Sequence, residues 1–141
     1  MVRAEGAFRG SLPGFAEVRA LAESFAPAAG ADRETTLRVI LVLEELFTNT
    51  VTHGYPTGVE GPVWVTLSSQ QGSIAITYED AAPAFDPIGH APAPSAEAEE
   101  RPPGGLGLAL VRGLCASTSY ARIGDRNRVI LTVAGAPISP R

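Results

Sequence analysis

Leu43 to Tyr55 reads LEELFTNTVTHGY. Its apolar residues fall at helical spacing, and Gly54 followed by Pro56 ends the helix that carries it. Asp32 is the expected N-cap, so this helix should run from Arg33 to about His53. Leu37, Ile40, Leu41, Leu43, Phe47 and Val51 supply apolar positions, yet Glu44, Glu45, Asn49 and His53 interrupt them. Glu45, Asn49 and His53 recur at i, i+4 and i+8 and form one stripe, whereas Glu44 points about 100° away from Glu45. Unpaired polar groups are expensive to bury, so the stripe has to face solvent, a partner or a ligand. It is not the usual Lys/Glu surface mixture, because the helix bears no lysine. A carboxylate one turn from an amide oxygen also makes a hard-ligand pair suited to Mg²⁺, which takes few protein ligands beside phosphate oxygens and water. Glu44 reads as a plain surface carboxylate or one member of an ion pair.

The helix sits in a chain of 141 residues, the size of one compact domain. We read residues 1–141 as a single domain with no internal repeat. A hydrophobic share of 45% provides a real core, and 18% charged residues with a net charge of -4 give a mildly acidic balance. Clustered Lys/Arg, the footprint of nucleic-acid binding, is missing, so a small molecule or a protein is the expected partner. One cysteine, Cys115, excludes an internal disulfide and fits a reducing cytoplasm. With only His53 and His90 beside that thiol, no zinc-ligand spacing exists. No signal peptide is legible, and no apolar run approaches the roughly 20 residues that span a bilayer.

Around the central helix the patterns alternate. Arg3 to Leu12 reads as an edge strand. Gly14 to Ala26 has apolar residues at Phe15, Val18, Leu21, Ala22 and Phe25, a helical period. GPVWVTLSSQ and GSIAITYED alternate and are joined at Gln71-Gly72, which predicts a hairpin. Ala81 to Gly105 is rich in Pro, Ala and Glu and has no period, and a loop that long is usually functional or disordered. LGLALVRGLCAST predicts a third helix with Cys115 on its apolar side, followed by a second hairpin turning at Asp125 to Asn127. The order β-α-α-β-β-loop-α-β-β predicts an α+β two-layer sandwich: a mixed, mostly antiparallel sheet with helices on one face.

Two further stretches carry polar groups out of pattern. YEDAAPAFDP places Glu79 and Asp80 at a strand end and Asp86 beyond two prolines. Acidic residues there serve equally as turn formers or as a carboxylate at a pocket mouth that accepts from an amino group such as that of adenine. RPPGGLGLALVRGL leads glycines into an amphipathic helix, where free N–H groups favour anions and glycines let the backbone approach a ligand. It is no P-loop, lacking Gly-Lys-Ser/Thr, and no strand precedes it as a dinucleotide fingerprint requires.

Taken in order, these three stretches resemble the GHKL (histidine-kinase-like, Bergerat-type) ATP-binding fold. Within it they are most similar to the anti-sigma factor/serine-protein kinase branch, over nearly the whole chain. LEELFTNTVTHGYP resembles the N-box, EDAAPAFDP the adenine-binding box and RPPGGLGLALVRGL the second glycine box. The resemblance implies ATP and Mg²⁺ as cofactors, with Asn49 as the Mg²⁺ ligand and Glu45 as general base. It implies an ATP site formed by Asn49, His53, Asp80, Ala82, Phe85, Gly104, Gly105, Leu106 and Gly107, with Asp80 accepting the adenine amino group. It implies an ATP lid over about residues 87–104. Ala82 stands where the adenine box usually has glycine. Pro103 stands where the kinase branch often has an arginine, which leaves Arg101 as the candidate phosphate contact. The implied activity is protein serine/threonine kinase transfer to a STAS-type antagonist by a cytoplasmic anti-sigma factor that also binds a sigma factor. A homodimer is left open, and neither nucleic acid nor membrane is an expected partner. The alternative is a nucleotide-binding interaction module with little or no phosphotransfer. A histidine kinase is not expected, since no upstream helix carries a phosphoacceptor histidine.

Overall fold

The computed structural model describes residues 2–89 and 105–135. Strand β1 (Arg3–Arg9) leads through a 3₁₀ turn at Leu12–Gly14 into helix α1 (Phe15–Ala28) and helix α2 (Arg33–Asn49). Strands β2 (Pro62–Gln70) and β3 (Ser73–Asp80) follow, then helix α3 (Gly105–Leu114) and strands β4 (Ser117–Ile123) and β5 (Arg126–Val133). This is the α+β order expected from the sequence, and all four strand pairings are antiparallel.

The β2–β3 hairpin turns where expected. Gln71 and Gly72 both adopt left-handed φ, 46° and 86°, as a tight two-residue hairpin turn requires. The second hairpin turns earlier than expected. Ile123 pairs with Arg126, so Gly124 and Asp125 make the turn and Gly124 takes φ 60°. Asn127 is therefore not a turn residue but part of β5, directly opposite Asp80 of β3. The strand order β1-β2-β3-β5-β4 explains how they meet. The chain leaves β3 at Asp80, crosses to the sheet edge as β4, and returns between the two as β5.

Alternation sends one face of the sheet to the helices. Val63, Val65, Leu67, Ile74, Ile76, Tyr78, Val129, Leu131 and Val133 pack against Val18, Ala22 and Phe25 of α1, Val39, Leu43, Leu46 and Phe47 of α2, and Leu108 and Val111 of α3. The Phe15 and Phe47 rings meet at 5.6 Å between centroids, tying α1 to α2. Leu37 does not join this core: it is 49% exposed, and Leu41 is only half-buried. The buried arc of α2 runs instead through Val39, Val42 and Leu46, because two layers press on the helix, the sheet below and α1 beside it. Cys115 follows α3 and packs against the core, and burial pushes its thiol up to about 11, which keeps it protonated.

Asp32 caps α2 as expected, accepting from the Thr35 N–H at 2.8 Å. The far end differs from a plain helix. Thr50–Gly54 is a π turn, closed by the Tyr55 N–H on the Thr50 carbonyl at 2.8 Å. Such wide turns are frequent at functional sites. No helix among the described residues is long and apolar enough to cross a membrane.

The other face of the sheet carries an ion-pair group. Glu79 accepts from Arg126 Nη1 at 3.0 Å and Arg128 Nε at 2.7 Å, and the Arg126 guanidinium lies 3.4 Å from the centre of the Trp64 ring. Burial pushes the Glu79 carboxyl up, but the two guanidiniums outweigh it and hold the group below its ordinary value. A depressed carboxylate adds stability above the unfolded-state value and loses it as pH falls through the folded-state value. Glu79→Gln should therefore destabilise the fold at pH 7 by about 1 kcal/mol, a modest figure because both arginines are partly solvated. The gap in melting temperature between wild type and variant should close as the pH falls below 4.5.

Candidate functional site

β3 ends on Asp80, and the same alternation that buries Ile76 and Tyr78 turns its carboxylate to the helix side. Asp80 is only 8% exposed. A carboxylate withdrawn from water needs its lone pairs met, and three donors meet them. Oδ1 accepts from Asn127 Nδ2 at 2.9 Å and from the Ala82 N–H at 3.2 Å, while Oδ2 accepts from the Thr50 hydroxyl at 2.8 Å. The Tyr78 hydroxyl lies 2.7 Å from that of Thr50. Burial pushes the Tyr78 hydroxyl well above its ordinary value, so Tyr78 keeps its proton and donates to Thr50, whose single proton lies between the Asp80 carboxylate and the Leu46 carbonyl at 3.1 Å. Oδ2 retains a further acceptor position.

Asn127 is the hub of the surrounding loop. Its amide N–H₂ also donates to the carbonyls of Ala82 at 3.2 Å and Pro83 at 3.1 Å. Its Oδ1 accepts from the Phe85 N–H at 3.1 Å, the Tyr120 hydroxyl at 2.6 Å and Arg122 Nη1 at 3.2 Å. Acceptors lie on one side and donors on the other, which fixes the orientation of the amide. Arg122 adds a bond to the Ala82 carbonyl at 2.8 Å. Tyr55 pins the segment from behind: its hydroxyl accepts from the Ala81 N–H at 2.8 Å and donates to the Pro62 carbonyl.

This scaffold lines a narrow, partly open cleft. Leu46, Asn49, Thr50 and Gly54 form one wall, and Asp80, Ala82, Pro83, Phe85 and Pro87 form the other, with Tyr78, Asn127 and Val129 between them. Asn49, Asp80, Ala82 and Phe85, four residues singled out in the sequence, thus come together. The half-buried Asn49 amide has no hydrogen-bond partner among the described residues, and it stands on the same wall as the Asp80 donor Thr50. Ala82 fits at its buried position because residue 54 is glycine. A Cβ on Gly54 would come within 3.2 Å of the Ala82 methyl.

Glu45 stands one turn up α2, half-buried and set against α3, where its carboxylate faces the backbone of Gly107. Burial, assisted by the charge of Glu44, pushes its carboxyl above the ordinary value. His53 is exposed and does not line the pocket, because the π turn breaks the straight i, i+4, i+8 stripe after Asn49. Gly105 and Leu106 begin α3. His90, Arg101, Pro103 and Gly104, with the remainder of the expected lid from residue 90, lie outside the described residues. The first residues of the expected lid fold inward: Pro87 lines the pocket, and Ile88 is buried in the core. The Asp86 carboxylate holds them by accepting the N–H groups of Ile88 and Gly89. Among the described residues no cluster of three His, Cys, Asp or Glu forms a metal cage. An amide and a carboxylate on one helix beside the cleft have the hard oxygen donors that would suit Mg²⁺.

Thr50, Tyr78, Asn127 and Arg122 escaped the sequence reading. Thr50 lay inside the opening stretch but looked like one more polar residue. Asn127 looked like turn punctuation.

A family model described as the histidine kinase-like ATPase domain matches residues 11–133. The serine/threonine-protein kinase BtrW of Bordetella bronchiseptica is 31% identical over 106 residues, which cover 73% of this chain and 75% of BtrW. The solved RsbU and RsbW domains of Rv1364c from Mycobacterium tuberculosis match 99% of this chain and 34% of that one, with a TM-score of 0.68 and 17% identity. A blue-light activated histidine kinase of Erythrobacter litoralis matches 73% of this chain and 31% of its own, with a TM-score of 0.52 and 22% identity. The chain spans about a third of the length of these two structures, and at such identities the likeness shows the fold.

Asn127→Ala should lower stability by about 2 kcal/mol, since it strips a donor from Asp80 and leaves loop groups unpaired. Denaturant midpoints compared with those of wild type measure it.

Proposed function

The chain belongs to the histidine kinase-like ATPase domain family, and from that premise we propose that it binds ATP with Mg²⁺ in the Asp80 pocket and phosphorylates a serine or threonine of a STAS-type antagonist. It would do so as an anti-sigma factor that also binds a sigma factor. The observation that carries this reading is the Asp80 carboxylate. Three protein donors hold it rigid, and an acceptor position remains for one more N–H donor at a pocket whose wall holds Asn49. An adenine amino group supplies such a donor. Ala82 and Phe85 would flank the base, and Gly105 and Gly107 would let the α3 backbone approach the phosphates.

In the transfer, the oxygen of the acceptor hydroxyl bonds to the γ-phosphorus while the bond from that phosphorus to the β,γ-bridging oxygen breaks, and ADP leaves. Glu45 takes the hydroxyl proton. Its raised carboxyl value makes it a stronger base than an ordinary glutamate, and proton removal by a positioned base contributes roughly 10²–10⁴-fold. Mg²⁺ held by the Asn49 amide oxygen and phosphate oxygens would neutralise charge on the transferring group. Positioning and charge neutralisation supply most of the acceleration in reactions of this class.

The identity of BtrW as a serine/threonine-protein kinase supports the reading. Pro103, in place of the arginine often found before the glycine pair, favours the alternative of a nucleotide-binding interaction module with little phosphotransfer.

Asn49→Ala should abolish Mg²⁺-ATP binding by calorimetry and leave the melting temperature nearly unchanged; undiminished affinity would remove Asn49 from the site. Glu45→Ala should retain ATP binding and lose roughly 10²–10⁴-fold in phosphotransfer. Labelling of a STAS partner with radioactive ATP decides between the two readings. If the wild-type protein labels no such partner, the interaction module stands.

A further inference from the structure

Helix α3 contains two glycines beyond its first residue, Gly107 and Gly113. Glycine inside a helix is unfavourable relative to alanine, so each raises the question of what it is for. Neither has a left-handed φ, so backbone freedom is not the reason. Their surroundings differ. A Cβ on Gly113 would meet nothing within 4 Å, whereas a Cβ on Gly107 would lie 1.9 Å from Glu45 Oε2 and 2.7 Å from Glu45 Cδ. The carboxylate of Glu45 occupies the space that a side chain at residue 107 would take.

We propose that Gly107 is a positioning residue for Glu45: the missing side chain makes the notch that holds the carboxylate against α3, where a base for phosphotransfer is required. This rests on the reading of Glu45 as that base. It assigns Gly107 a task in addition to close approach of backbone to phosphate. The obstructing atoms are the far end of a flexible side chain, so a methyl at residue 107 does not break the packing of α3 on α2. It swings Glu45 out of the notch. Leu108, Ala109 and Val111, buried on the same helix, keep α3 seated. The notch also accounts for the partial desolvation of a carboxylate that would otherwise project from the helix into water.

The test compares Gly107→Ala with Gly113→Ala, a methyl added to the same helix in open space. Titration of the Glu45 carboxyl by carbon NMR in nucleotide-free protein, assigned with Glu45→Gln, reads the position of the group directly. In Gly107→Ala the titration should fall to the ordinary glutamate range. Phosphotransfer to a STAS partner should drop about tenfold or more, beyond any loss of ATP affinity. Gly113→Ala should change none of these. An unmoved Glu45 titration overturns the proposal, and so does a moved titration with undiminished phosphotransfer. Loss of ATP affinity with Glu45 unmoved returns Gly107 to the phosphates and overturns it as well. If wild-type protein transfers no phosphate, the kinase reading fails and the titration alone decides whether the notch holds Glu45. If Gly107→Ala does not fold, the double variant with Glu45→Ala decides: its recovery supports the notch, and its failure overturns it.

Discussion

The Asp80 carboxylate, buried at the end of a strand, is the constraint on which the rest of the structure depends. A charge so placed is tolerable only when hydrogen bonds replace water, and no single element of this fold supplies them all. Thr50 comes from the wide last turn of α2, Asn127 from β5 and the Ala82 N–H from the loop just beyond the strand. Two of the donors also hold something else: Thr50 receives Tyr78, and Asn127 gathers Ala82, Pro83, Phe85, Tyr120 and Arg122. Satisfying one carboxylate thereby orders the whole wall of a pocket. A network with every partner in place gives a rigid site, which is the form a recognition group needs.

The strand order makes this network available. A simple up-and-down meander would have put β4 beside β3. Here β5 lies there instead, and Asp80 and Asn127 become register partners although 47 residues separate them. The same order also sets α3 between β3 and β4 in the chain, with Gly107 of α3 against Glu45 of α2. The same topology therefore places both carboxylates, Asp80 beside β5 and Glu45 beside α3.

The two faces of the sheet obey different physics. The helix-covered face is a mainly apolar layer, and at its Asp80 end polar groups are matched one by one. The opposite face carries Glu79 between two arginines and Trp64 beneath one of them. Glu79 and Asp80 are neighbours in sequence, yet one settles an ion pair on the outer face and the other faces the pocket, since consecutive strand residues point to opposite sides.

Much of this was legible in the sequence, and the illegible part has a common cause. Helical and strand periods, the Asp32 cap, the Gln71-Gly72 turn and the placing of Asn49 and Asp80 depend on neighbours within a few residues, and there local pattern and structure agree. The reading failed where a distant element set the outcome. Leu37 looked like core, but neither α1 nor the sheet covers it. His53 looked aligned with Asn49 until the π turn opened the helix. Asn127 looked like a turn residue because Gly124 alone did not reveal that the reversal came two residues earlier. By itself, then, the sequence determined the elements and the fold class, and it singled out four of the residues that line the pocket, Asn49, Asp80, Ala82 and Phe85. Only the tertiary structure decided which donors satisfy Asp80 and why α3 needs glycine at residue 107, because both depend on atoms brought together from parts of the chain that share no local pattern.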